Sequence, residues 1–257
     1  SFPLLYYGIG PNSQSEPLAE IQGNYLFIKE RVLREIRPSF YGGLEFDFQR
    51  LSSVEFEDVS PDLIEPSGSQ GTTNLGLGFG LVYDNIHNAL NAREGIFSEL
   101  AILDYNSVDK SGFDFTNLVS DNRIYIPVNK NDVFAAQLFG KFTLFGEAPF
   151  NQLALLGGEN LMRGYYLGRY RDDNLLAAQV EYRMLPFSFS KRWGASFFLA
   201  SGQVFSDENK LALNRFLPTA GTGLRFLLFP EKDIYTRLDF AFTQEGPGFY
   251  FFIGEAF

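Results

Sequence analysis

Residues 176–184 read Leu176-Ala177-Ala178-Gln179-Val180-Glu181-Tyr182-Arg183-Met184, and polarity alternates along them. The odd-numbered residues are small, polar or charged, whereas the even-numbered residues are apolar or aromatic. Successive side chains of a β-strand point to opposite faces, so this stretch predicts a strand with one apolar face and one polar face. A strand of a membrane barrel has this pattern, because lipid covers its outer face and a polar lumen lies inside.

The same two-residue rhythm runs to the last residue of the sequence. The stretch is Gly248-Phe249-Tyr250-Phe251-Phe252-Ile253-Gly254-Glu255-Ala256-Phe257. We interpret Phe249, Phe251, Ile253 and the final Phe257, which share one parity, as a terminal assembly signal. Glu255 interrupts that parity, where an apolar residue would be expected.

The composition favours a barrel over a helical membrane protein. Aromatic residues make up 17% of the 257 residues, yet the mean hydropathy is only -0.08. No stretch approaches the roughly 20 apolar residues that a membrane-spanning helix needs. A chain that crosses the bilayer without such helices must do so as a closed barrel, because every backbone polar group in lipid needs a partner.

Charge and residue usage narrow the classes of function. The formal net charge is -10, which argues against binding to nucleic acid. The sequence has no cysteine, so disulfides, thiol catalysis and cysteine-ligated zinc are excluded. The single histidine, His87, falls in a predicted turn. We therefore predict no catalytic residue, no metal site and no cofactor.

About twelve antiparallel strands are predicted, and they form one barrel domain over residues 1–257. Short, turn-rich connections alternate with long ones, as in outer-membrane barrels, whose short turns face the periplasm. The turn at 84–94 is long for its side. The longest connection, at 146–173, is predicted to fold into the lumen.

A distinctive motif lies in this longest connection. It reads Gly157-Gly158-Glu159-Asn160-Leu161-Met162-Arg163-Gly164-Tyr165-Tyr166-Leu167-Gly168-Arg169-Tyr170-Arg171-Asp172. The motif resembles the Arg-Gly-aromatic loop of the BamA/TamA-type outer-membrane protein assembly family, the bacterial surface-antigen barrels. Further segments that resemble the family lie at 6–10, 83–95, 220–225, 237–240 and 254–257, so the resemblance covers nearly the whole chain.

The resemblance implies a site around the loop arginine. In that family the arginine is held in the lumen by acidic residues on the next two strands. Arg163, Gly164 and Tyr165 match the loop motif, and Glu181 matches the first acidic partner. The second acidic position is occupied by Ala200, so only one partner is expected for Arg163. Two roles stay open for this pair, a static lock that plugs the lumen and a part of a working cycle.

The resemblance also sets an expectation for the strand count. The family barrel has about sixteen strands, five of which follow the loop. This sequence has five predicted strands after the loop but only about seven before it. We therefore expect either a piece of a larger protein or a smaller, barrel-only relative.

The function implied by the resemblance is the insertion or translocation of polypeptides at the bacterial outer membrane, without covalent chemistry. The partners would be the lipid bilayer, client outer-membrane polypeptides, and periplasmic or lipoprotein partners. Two alternatives remain, a passive outer-membrane channel and a membrane anchor for a partner or a fused domain.

Overall fold

Antiparallel strands make up nearly all of the fold in the computed structural model, which describes residues 4–108 and 112–257. Twelve strands form one sheet, and two short strands form a separate hairpin. The bounds are β1 Leu4–Tyr6, β2 Ala19–Arg37, β3 Phe40–Glu57, β4 Thr72–Asp84, β5 Gly95–Ser107, β6 Phe115–Pro127, β7 Asp132–Gly146, β8 Ala154–Leu156, β9 Tyr170–Asp172, β10 Asn174–Met184, β11 Trp193–Phe205, β12 Leu217–Phe229, β13 Ile234–Thr243 and β14 Gly246–Ile253.

Each strand of the large sheet pairs with its neighbours in chain order, except where β8 and β9 intervene. β7 pairs directly with β10, and the β8–β9 hairpin lies within the long connection between them. The prediction of about twelve antiparallel strands in a barrel is confirmed. Residues 2 and 3, which the sequence places in the first strand, lie outside the described residues.

The two faces of the sheet follow the predicted alternation. In β10, Ala177, Gln179, Glu181 and Arg183 are at most 2% exposed, whereas the intervening Val180 is 37% exposed. The polar parity is therefore the buried one, and the apolar parity forms the outer surface. This arrangement is the reverse of a soluble sheet and suits a wall between lipid and a filled lumen.

The interior of the barrel is both apolar and charged. The β8–β9 hairpin packs Leu156, Met162 and Tyr165 against the inner faces of β10 and β11. Five arginines are among the largest fully buried side chains of the described residues: Arg163, Arg171, Arg183, Arg225 and Arg237.

The sheet has two edges in the described part of the chain. β1 pairs only with Ala19, Glu20 and Ile21 of β2, so the rest of that side of β2 has no strand beside it. β14 pairs with β13 alone. The only helical segments among the described residues are two short 3-10 turns, Leu213–Arg215 and Pro230–Lys232. No helix in residues 4–108 and 112–257 is long and apolar enough to cross a membrane.

Candidate functional site

The connection between β7 and β10 is anchored where it enters the barrel. The ammonium group of Lys141 on β7 donates hydrogen bonds to the carbonyl oxygens of Gln152 at 2.7 Å and Leu153 at 3.2 Å. Gln152 in turn donates to Asn74 of β4 at 3.1 Å. These bonds hold the start of the β8–β9 hairpin against the inner wall.

A backbone turn at Gly164 brings the loop tip onto the wall. Its φ is +106°, a conformation that L side chains rarely adopt. A Cβ atom there would lie 2.4 Å from Cγ2 of Thr243. The amide of Gly164 also donates to the Tyr250 hydroxyl at 2.8 Å. Glycine is required here both for its φ and for its close approach to β13.

Arg163 is completely buried and forks between two strands. Its Nη2 donates to Oε2 of Glu181 on β10 at 2.6 Å, and its Nη1 donates to Oδ2 of Asp239 on β13 at 2.7 Å. The guanidinium carbon of Arg163 lies 3.5 Å from the ring centroid of Phe198. The backbone carbonyl oxygen of Arg163 accepts a hydrogen bond from the Thr219 hydroxyl. A planar guanidinium suits this bidentate, stacked environment better than an ammonium would.

Three more arginines share the same carboxylates. Arg225 on β12 binds Glu181 at 2.8 Å, Asp239 at 2.6 Å and Glu255 at 2.9 Å. Arg237 binds Asp239 at 3.2 Å and also donates to the loop through the Asn160 side chain at 3.0 Å. Arg183 lies 3.5 Å from Glu181 and 3.7 Å from Glu255.

We call this set the arginine cluster: Arg163, Arg183, Arg225, Arg237, Glu181, Asp239 and Glu255. Four cations meet three carboxylates, so one positive charge is unmatched within the cluster. Charges at such depth lose their hydration and are tolerated only when they are paired and hydrogen-bonded. The cluster joins the loop to β10, β12, β13 and the C-terminal residues.

The expectation of a single acidic partner for Arg163 was wrong. Ala200 does lie on the inner face of β11, where it packs against the β8–β9 hairpin and offers no charge. The second carboxylate comes instead from Asp239, two strands further along the sheet. The two-residue alternation predicts that Glu181 and Asp239 both face inward. The distance across the lumen between β10 and β13 cannot be read from the sequence.

The structure divides the residues of the predicted terminal signal between two surfaces. Phe249, Phe251 and Ile253 are exposed on the outer surface of β14. Gly254, with φ +90°, then turns the chain inward, and Phe257 is only 6% exposed. Phe257 packs near Tyr125, Val133 and Ala135, and its oxygen accepts a 3.0 Å bond from Arg183.

The long turn at 84–94, which we call the mouth strap, reaches the opposite side of the barrel. Arg93 forms a bidentate pair with Asp233, in the turn between β12 and β13, at 2.5 and 2.9 Å. Asn91 also donates to Asp233, and the amide of Glu255 donates to the carbonyl of Leu90 at 2.9 Å. The unusual length of this turn is therefore used to span the mouth of the barrel.

At the end of the barrel opposite the 84–94 turn, the β7–β10 loop links the two edges of the sheet. Arg169 donates to Ser13, which precedes β2, at 2.8 Å and to Glu245, which precedes β14, at 2.8 Å. Its guanidinium also stacks near the rings of Tyr7 and Tyr170. Arg169 thus bridges the two ends of the sheet, although the described residues of β14 and β2 form no ladder.

Comparisons with known proteins identify a family and similar folds. The Omp85 superfamily domain matches residues 12–257. BamA from Haemophilus ducreyi lacking POTRA domains 1–3 has a TM-score of 0.61 and 17% identity, over 98% of this chain and 56% of that one. CdiB from Acinetobacter baumannii has a TM-score of 0.59 and 15% identity, over 92% of this chain and 43% of that one.

The chain thus spans about half the length of these two solved structures, which it resembles in fold. No curated protein matches it.

Proposed function

The chain belongs to the Omp85 superfamily, and on that premise we propose that it inserts polypeptides into the outer membrane or translocates them across it. The barrel lies in the bacterial outer membrane. The proposed work requires no covalent chemistry, only strand pairing and movement of the barrel wall. Its substrates would be unfolded outer-membrane or surface polypeptides, delivered by periplasmic or lipoprotein partners.

The match of the Omp85 superfamily domain to residues 12–257 is the observation that carries this proposal. Among the described residues the large sheet ends at β1 and β2 on one side and at β14 on the other, and we place the entry of a client strand at the seam between these edges. Unpaired backbone groups are costly in lipid, because no water is available to satisfy them. An incoming strand would satisfy them by adding to the sheet edge.

The arginine cluster supports this proposal by bracing the strands that lead to β14. Arg163 and its partners connect β10, β12 and β13 on that side of the sheet. We assign the cluster the role of holding this half of the wall fixed while the edge accepts a strand. Arg169 binds Ser13 before β2 and Glu245 before β14. It would have to release one of these two residues when the seam opens.

The proposal is tested by folding a urea-unfolded outer-membrane barrel into liposomes with and without this protein. We expect faster folding with the protein, and cross-linking of the client to a photoreactive residue at Ile28 on the edge strand. The matched control is the same photoreactive residue at Leu77, which is also exposed on the outer face but lies on β4, between two paired strands.

Two results would contradict the proposal. Folding no faster than with empty liposomes would exclude the insertion activity. Equal cross-linking at Ile28 and Leu77 would show that the client touches the barrel without using the strand edge.

A further inference from the structure

Exposed aromatic rings cluster where β10 turns into β11. Phe187 and Phe189 lie in this turn, and their rings stack with centroids 5.0 Å apart. Trp193, the first residue of β11, meets the ring of Phe226 on β12 at a centroid distance of 5.0 Å. Phe189 is 85% exposed and Trp193 is 51% exposed. An exposed apolar patch of this kind indicates a partner outside the protein.

The turn holds these rings in a fixed arrangement. The Ser190 hydroxyl oxygen accepts hydrogen bonds from the amides of Trp193 at 2.9 Å and Arg192 at 3.3 Å. The amide of Ser190 donates to the carbonyl of Phe187 at 3.0 Å, and the amide of Phe187 donates to the carbonyl of Trp193 at 2.8 Å. Because these bonds close the backbone of the turn, little conformational freedom is lost when its rings bind a partner.

Two cations stand among the rings. Lys191 and Arg192 are consecutive, and both are exposed. The guanidinium carbon of Arg192 lies 5.7 Å from the ring centroid of Phe226, and its Nη1 donates to the carbonyl of Leu227 at 3.3 Å. Neither cation forms an ion pair with a carboxylate in the described part of the chain. In a chain of net charge -10, this unpaired positive charge indicates an anionic partner.

The rings continue the lipid-facing surface of the barrel. Trp193 and Phe226 are cross-strand partners at the ends of β11 and β12. They share the outward parity of their strands with Phe197 and Leu224, which are 56% and 47% exposed. The ends of such strands lie at the level of the lipid headgroups, where aromatic rings are enriched and long basic side chains reach the water. The partner of this surface is therefore a lipid.

We propose that these residues form a binding site for the headgroup of an anionic phospholipid. We call the site the turn patch, and it consists of Phe187, Phe189, Lys191, Arg192, Trp193 and Phe226. Arg192 and Lys191 contact the phosphate, since a guanidinium pairs well with phosphate through its forked donors. The rings of Phe189 and Trp193 lie against the upper part of the acyl chains. This inference is independent of the proposed insertion activity.

Trp193 provides the measurement, because it is the only tryptophan in the sequence and its fluorescence reports on the turn patch alone. The chain is reconstituted into phosphatidylcholine vesicles with increasing fractions of brominated phosphatidylglycerol or brominated phosphatidylcholine. Bromine quenches tryptophan at short range, so the two curves give the relative affinity of each lipid for the patch. One basic side chain near a membrane surface favours an anionic lipid about fivefold, and we expect a preference for phosphatidylglycerol at least that large.

Lys191→Gln combined with Arg192→Gln should abolish this preference while the quenching by brominated phosphatidylcholine remains. Both side chains are exposed, so the fold should not depend on them. Lys210→Gln combined with Arg215→Gln is the matched control. It removes the same charge from two exposed residues of the connection between β11 and β12, at the other end of β11 from Trp193. The control should keep the full preference.

Each other outcome overturns the proposal. Equal quenching of the parent by the two brominated lipids would show an aromatic surface that does not recognise charge. Equal loss of preference in both double variants would show attraction to the net charge of the chain and not to the turn patch. A parent that neither lipid quenches would show that Trp193 does not contact lipid. None of these results measures client folding, so they leave the test of the insertion activity separate.

Discussion

Glu181 and Arg163 differ in what the arginine cluster loses when each is replaced. Glu181 accepts bonds from Arg163 and Arg225 and lies near Arg183. Its removal leaves four arginines facing two carboxylates. Removal of Arg163 instead leaves three of each sign, although Glu181 and Asp239 each lose a donor. Because fewer unmatched like charges then face one another, the loss of Arg163 should destabilise the protein less than the loss of Glu181.

We therefore expect Glu181→Gln to destabilise the protein more than Arg163→Gln does. Breaking a buried pair typically costs about 3–5 kcal/mol, so Arg163→Gln should fall near the lower end of that range. Urea unfolding in lipid vesicles measures the free energy, with Arg215→Gln as the control. A larger loss for Arg163→Gln would mean that the unmatched positive charge of the cluster is neutralised elsewhere.

Gly164 offers a matched pair of substitutions that separates conformation from contact. Gly164 and Gly246 both have positive φ, +106° and +130°, but a Cβ on Gly246 would meet nothing within 4 Å. Gly246→Ala should therefore cost only the backbone strain, about 1 kcal/mol. Gly164→Ala adds overlap with Thr243 and should cost about 2 kcal/mol more. Equal unfolding free energies for the two variants would show that the loop tip moves away without penalty.

At the scale of whole strands, the alternation of polarity was sufficient to predict the sheet. The inward parity of β10 and the inward position of Glu181 both follow from a period of two. The pairing of Arg163 with Asp239 does not follow from this period, because it depends on how far the loop reaches across the lumen. The course of 254–257 was also missed, since only the positive φ at Gly254 reverses the parity of Phe257. The inward turn explains Glu255, which pairs with Arg225.

The β8–β9 hairpin carries a carboxyl group that makes its stability depend on pH. Burial raises the pKa of Asp172 to about 6 from an ordinary value of 3.8. Between these two values the folded loop binds more protons than the unfolded loop, so its stability falls as pH rises from about 4 to 6. Above pH 6 the carboxylate is charged in both states and the full penalty applies.

Asp172→Asn should remove this penalty and make the hairpin more protected at pH 7. Hydrogen exchange of residues 154–172, followed by mass spectrometry, measures the local opening. After correction for the intrinsic exchange rate at each pH, we expect slower exchange than in the parent protein at pH 7 and no difference at pH 4. Asp62→Asn, which changes an exposed loop residue, is the control. Slower exchange at both pH values would assign the effect to hydrogen bonding and not to charge.

For the molecule as a whole, two elements lie across the lumen in series. The loop, held by Arg163, fills the barrel from one end, and the mouth strap spans the other end through Arg93 and Asp233. An ion that moves along the lumen meets both. A passive channel would require that both elements open often in the parent protein, whereas each is fixed by a forked arginine.

Because the two elements act in series, we predict that their separate effects on the conductance are far from additive. If the loop and the strap open independently, the chance of a continuous pore is the product of their separate chances. Asp233→Asn or Arg163→Gln alone should then raise the planar-bilayer current only slightly above that of the parent. The double variant should conduct much more than the sum of the two. A single variant that conducts as well as the double would identify its element as the only seal, and a conducting parent would favour the channel.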